Sequence, residues 1–246
     1  MAKFPQDPKE IFPEIINDYK GLFGNDLISI ILYGSASGRD YRPGKSDINF
    51  MIVLSETGIE HLDRGFDVVN KWRKRKVAIP LFLTELYVES SLDVFPIEYL
   101  NFQRSHALVY GKDILEELTF DRELVRLQCE REIKGKLLLL REAYMETGGK
   151  RRALRDVMAQ SIQAFVAIFD ALLFLKGKEI PRDRRDVVNL TCETFDLDSG
   201  LFQKLLDIKE EKIKPDDAQT KSFFQDYLKE VRKLSRIVDT LGGEND

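Results

Sequence analysis

The chain has 246 residues, 43% hydrophobic and 33% charged, with 42 acidic against 38 basic side chains and a formal net charge of -4. That profile is globular with a heavily charged surface, and the length suits one large domain or two ordinary ones. It excludes a general nucleic-acid coat protein, which needs a surplus of Lys and Arg to neutralise phosphates.

The opening stretch, MAKFPQDPKE, holds no apolar core of a secretion signal. Ile11, Ile15, Ile16, Tyr19 and Leu22 then recur at helical spacing, predicting an amphipathic helix with Pro13 in its first turn. Leu27 to Tyr33 (LISIILY) is a β-branched apolar run, as a buried strand requires. It stops at Gly34-Ser35. A loop rich in Gly, Arg and Pro follows from Ala36 to Ser46, and Ile48 to Leu54 (INFMIVL) reads as a second buried strand. His61 to Lys76 is expected to be one helix with Leu62, Phe66 and Val69 inward. Its basic end, Lys71 to Lys76, reads as cations suited to the helix dipole rather than as a nucleic-acid contact through Trp72. Val77 to Leu83, broken by Pro80, belongs near a sheet edge. Thr84 is placed to cap a short helix reaching Val94. Phe95 to Phe102 (FPIEYLNF) alternates as a further strand, with Glu98 on the face opposite Ile97 and Tyr99.

From about Asp121 the pattern changes period. Cys129, Ile133, Leu137, Leu140 and Tyr144 line one face of a long helix that Thr147-Gly148-Gly149 ends. Arg151 to Lys176 is apolar nearly all round its middle, as the central helix of a bundle would be. Pro181 to Leu206 holds one or two shorter helices, and Ala218 to Leu241 sets Phe224, Tyr227, Val231, Leu234 and Val238 on one heptad-like face. That face either packs inside the bundle or against a second chain, which leaves a homodimer open. Cys129 and Cys192 are too few for a disulfide framework or a thiolate zinc site. Apolar runs such as Leu137 to Leu140 are far short of a membrane span, so a reduced, cytoplasmic protein without a membrane partner is expected. The expected fold class is α+β: a mixed β-sheet domain with flanking helices over residues 1–118, then an all-α antiparallel helical bundle over 119–246.

The stretch with chemical content is LYGSASGRDYRPGKSDINFMIVL, Leu32 to Leu54. Glycine lets a backbone approach phosphates closely, and backbone N–H groups with a serine hydroxyl suit phosphate oxygens, which marks Gly34 and Ser35. Lys45 and Ser46, with Arg39 and Arg42 nearby, supply further phosphate partners. Asp47 and Asn49 are two apart on one strand, so their side chains leave the same face and can converge on one ion. Magnesium (Mg2+) takes oxygen ligands, usually one or two carboxylates completed by phosphates and water. Glu98 is the candidate third ligand and base.

These residues resemble the polymerase-beta-like nucleotidyltransferase superfamily, which includes the aminoglycoside and the minimal prokaryotic nucleotidyltransferases. Gly34-Ser35 matches that family's Gly-Ser after the first strand, Gly38 its next glycine, and Asp47 the first acid of its pair. Asn49 departs from the pattern, standing where a second Asp is usual. Glu56, Asp40 and Glu85 are the acids available to compensate for the missing charge. The resemblance implies transfer of a nucleoside monophosphate from a nucleoside triphosphate such as ATP to an acceptor hydroxyl, with acids holding metal ions and pyrophosphate leaving. It likens the bundle to the substrate-binding domain of aminoglycoside nucleotidyltransferases. The ribonuclease bundles that often accompany such domains carry an Arg and a His, and residues 119–246 contain no His. Asn49 supplies no charge and keeps a second reading open, a relative that binds nucleotide or a partner protein without transfer. The acceptor is a small molecule, a protein hydroxyl or an RNA end.

Overall fold

The computed structural model describes residues 4–38 and 41–241. The chain separates into two compact units, Met1–Asp93 with Tyr99–Thr119, and Val94–Glu98 with Phe120–Asp246.

The first unit is built on a four-stranded sheet. Asp7 closes a capping box on a 3-10 turn at Pro8–Ile11. Helix α1 (Phe12–Phe23) follows with Pro13 in its first turn, where the missing N–H costs nothing, and buries Ile15, Tyr19 and Phe23 one turn apart. Strands β1 (Leu27–Tyr33) and β2 (Asn49–Leu54) lie where the apolar runs predict them. The short α2 (Glu56–Ile59) is capped by Ser55, and α3 (Phe66–Arg73) leads back to β3 (Leu81–Leu83), the edge strand beside Pro80. Thr84 caps α4 (Glu85–Ser90), its side chain accepting from the Tyr87 N–H. Helix α5 (Pro96–Arg104) then precedes β4 (His106–Gly111). The strand order is β3-β2-β1-β4, with β1 antiparallel to both neighbours and β2 parallel to β3, so the sheet is mixed.

One sheet face carries Ile30, Leu32, Phe50, Ile52 and Leu54 against Ile15, Tyr19 and Trp72. The alternating residues Ser29, Ile31, Met51 and Val53 on the other face are also fully buried. Burial on both faces explains why the strands read as continuous apolar runs. Gly111 ends β4 at φ 82°, and a Cβ there would stand 1.9 Å from the Ile28 carbonyl oxygen, so the strand pair closes only over glycine.

Two expectations fail here. Residues 95–102 do not form a strand: Pro96 opens helix α5 instead, because its fixed φ suits the first turn. Burial of Pro96, Ile97, Tyr99 and Leu100 follows a helical rather than an alternating pattern. The fourth strand is β4, which the periodicity did not reveal. Residues 61–76 are not one helix either. A 3-10 turn (Leu62–Gly65) interrupts it, leaving Leu62 36% and Phe66 67% exposed, and Trp72, at 1%, is the side chain that enters the core.

The second unit is an all-α bundle. Asp121 caps α6 (Arg122–Thr147), which buries Val125, Cys129, Ile133, Leu137 and Leu140 and stops at left-handed Gly148. Helix α7 (Arg151–Leu175) touches α6 and the three helices that follow it: α8 (Arg184–Thr194), α9 (Ser199–Lys209) and α10 (Asp217–Thr240). By length and composition α7 would suffice to cross a membrane, which a search for unbroken apolar runs does not register. Half of its most apolar stretch is buried in the protein. The heptad-like face of α10 is buried inside the unit as well, with the Tyr227 ring edge-on to Phe165 and Phe202. A mixed-sheet domain with flanking helices, followed by an all-α bundle, is thus the architecture of the chain.

Candidate functional site

At the end of β1, Tyr33 lies opposite Asn49 of β2 and His106 of β4. The chain then turns at Gly34, whose φ of 75° is left-handed and suits glycine, into a 3-10 turn at Gly34–Ser37. This turn is fastened to the start of β4. Gly34 N–H donates to the Ser105 carbonyl at 3.2 Å, and the Ser37 hydroxyl lies 2.8 Å from the Gly34 carbonyl and 2.9 Å from that of Ser105. One hydroxyl proton serves one acceptor at a time, yet either bond holds the bend closed. A Cβ at Gly34 would meet Asn49 Nδ2 at 3.4 Å, so the Asn49 amide abuts the bend.

Asp47 and Asn49 flank Ile48, which is fully buried and bridged to Val77. Ile48 forms an isolated bridge, β2 begins at Asn49, and Asp47 lies just before the strand rather than on it. The Asp47 side chain is 61% exposed, and Lys76 Nζ stands 3.7 Å from its Oδ1. Ser46 closes a tight turn: its hydroxyl accepts from Arg42 N–H at 3.0 Å, while its own N–H donates to the Arg42 carbonyl at 2.9 Å. Lys45 and Arg42 are exposed on that turn, whereas Arg39 and Asp40 lie outside the described residues. Glu56 opens α2, and Glu85 pairs with Lys112.

Glu98 sits on helix α5, not on a strand, and belongs with the second unit. Its Oε2 accepts from Gln128 Nε2 at 2.7 Å, and Gln128 Oε1 accepts from Ile97 N–H at 2.8 Å. Buried Gln128 thereby ties the first turn of α5 to α6. In the first unit the Asn49 amide stands against the Gly34 bend, and Glu98, expected as the third oxygen ligand, lies on a helix of the other unit rather than on a second strand. Among the described residues, no group of three or more His, Cys, Asp or Glu side chains gathers in a metal-binding arrangement.

Two neighbours of the bend, Ser37 and Ser105, and Lys76, which meets Asp47, were not singled out as site residues by the sequence. A Gly-Ser-x-Ser run is the only trace Ser37 leaves, and nothing in a basic helix end marks Lys76. His106 is engaged on both ring nitrogens, with Nε2 2.9 Å from Asp113 Oδ2 and Nδ1 2.8 Å from the Gln103 carbonyl. It braces the α5–β4 junction.

No family model matches the chain, and no curated protein matches its sequence. Among solved structures the chain is similar to spectinomycin adenyltransferase AAD(9) from Enterococcus faecialis, determined with ATP and spectinomycin. The identity is 18% and the TM-score 0.47, over 88% of this chain and 99% of that one.

Proposed function

We propose that the first unit binds a nucleoside triphosphate at the Gly34–Ser37 turn and transfers its nucleoside monophosphate to an acceptor hydroxyl. The acceptor oxygen bonds to the α-phosphorus, the α–β phosphoanhydride bond breaks, and pyrophosphate leaves. One observation carries the reading: the Asn49 amide stands against the left-handed Gly34 bend, with Asp47 two residues before it in the chain. Lys45 and Ser46, on the turn just before Asp47, are proposed as phosphate partners, and Ser35 as a donor within the bend. The acceptor's proton passes to bulk water, and Glu98, which belongs to the other unit, has no part in the step.

One carboxylate and one amide oxygen fit a magnesium ion that arrives on the triphosphate, because such ions keep phosphate and water ligands. They do not fit a bridged pair of resident ions. When bound, magnesium supplies charge neutralisation at the phosphate oxygens. Asp47 would orient that complex, and Asn49 would add a neutral oxygen beside it.

Asn49 and the Lys76–Asp47 contact favour one alternative, nucleotide or partner binding without transfer. Incubation with each of the four nucleoside triphosphates labelled at the α-phosphate, with magnesium or manganese and a panel of acceptors, separates the two. Transfer by the natural protein that disappears in Asp47→Ala supports the enzyme. A silent natural protein that gains transfer in Asn49→Asp assigns the natural chain to binding alone.

A further inference from the structure

Lys76 is the feature of the first unit that the nucleotide reading leaves unused. Its φ is 65°, a left-handed conformation that is unfavourable for a residue with a Cβ and that glycine or asparagine would adopt more readily. The surrounding backbone enforces it. Lys76 N–H donates to Arg73 at 3.3 Å, Lys76 C=O accepts from Ile48 N–H at 2.9 Å, and Ala78 N–H returns to the Ile48 carbonyl at 2.9 Å. The end of α3 is thereby pinned beside Ile48, and the ammonium is delivered to Asp47 Oδ1 at 3.7 Å. Both side chains are well exposed, at 42% and 61%, and ion pairs of that kind contribute about 0–1 kcal/mol. The contact therefore does not repay the strained backbone. A site with one carboxylate and one neutral amide is balanced by a single positive charge, and an ammonium supplies one. Lysine and magnesium both serve as positively charged clamps on phosphoryl oxygens.

We infer that Lys76 occupies the role of a second cation at this site, holding the triphosphate against the Gly34 bend. Nucleotide binding is then only weakly dependent on divalent metal. The inference rests on the nucleotide reading above. Asp47 keeps the ammonium in place until the phosphates arrive, and on binding the ammonium faces phosphate oxygen instead.

Calorimetric titration with ATP, in magnesium and separately in EDTA, tests this on the natural protein and on Lys76→Gly. Glycine relieves the left-handed backbone, so this variant is expected to melt at or above the natural protein while lacking the charge. The natural protein should retain ATP binding in EDTA, and Lys76→Gly should lose at least about tenfold in affinity there (about 1.4 kcal/mol). Magnesium should recover part of that loss. ATP binding that EDTA abolishes in the natural protein, or that Lys76→Gly keeps unchanged in EDTA, overturns the role of Lys76 while leaving the nucleotide reading intact. Absence of ATP binding in both buffers overturns the nucleotide reading, and this inference with it.

Discussion

Trp72 shows how one side chain changes meaning between sequence and structure. In a run of Lys and Arg it is compatible with stacking on a base, yet it is 1% exposed and its Nε1 donates to Asp18 Oδ2 at 2.8 Å. Lys71 reaches the same carboxylate at 2.7 Å, and the Arg75 guanidinium lies 4.8 Å from the indole centroid. The basic run is therefore a staple between α3 and α1. Replacing Trp72 by Phe keeps an aromatic ring but removes a bond to a charged acceptor, and should cost about 1.5–3 kcal/mol in urea unfolding. Equal midpoints for Trp72→Phe and the natural protein would leave the indole N–H without a stabilising role. The bend at Gly34 was legible because a left-handed turn at the end of an apolar strand favours glycine. Lys76 was not, since a left-handed backbone at a lysine has no sequence signature.

At the level of elements, β1, β2, α6, α7 and α10 were legible because each presents a long run of one period. Helix α5 was not. Over Ile97, Glu98, Tyr99 and Leu100 the strand and helix periods differ by only one position, and Pro96, placed inside the expected strand, is in fact a helix start. The misreading matters because it put Glu98 on the wrong kind of support. Its carboxylate is held by Gln128, which is 4% exposed and also satisfies the Ile97 N–H. Gln128→Leu should destabilise the second unit by about 1–3 kcal/mol, because it removes both the acceptor of the Ile97 N–H bond and the amide that donates to Glu98. Gln128→Glu keeps an acceptor for that N–H but sets a second carboxylate against Glu98, and should not recover the loss at neutral pH. An unfolding midpoint of Gln128→Leu equal to that of the natural protein would show that α5 does not depend on this clamp.

Across the whole molecule, the change of period near residue 121 announced a sheet-bearing part and a helical part. The contact pattern adds that residues 94–98 group with the helices, an exchange that a linear reading does not see. Both cysteines are buried in the helical unit, and burial pushes the thiols of Cys129 and Cys192 up to about 12. Burial also raises the phenols of Tyr19 and Tyr227. Each group keeps its proton longer when folded than when unfolded, so the stability it supports is complete below the unfolded value, about 8.5 for a thiol, and is lost as pH climbs towards the folded one. Unfolding free energy should therefore fall between about pH 8.5 and pH 12, by on the order of 1–2 kcal/mol per thiol at pH 10. Alkylation of both thiols at pH 8 should be slow in the folded chain and fast in denaturant. Rapid modification of either thiol in the native protein would contradict their enclosure. The central claim, a nucleotide seat formed by the glycine bend and the head of β2, is tested most directly by hydrogen exchange with and without ATP and magnesium. Slower exchange confined to peptides covering residues 33–38 and 45–50 is the predicted result. Unchanged exchange there, with protection elsewhere in the chain, would contradict it.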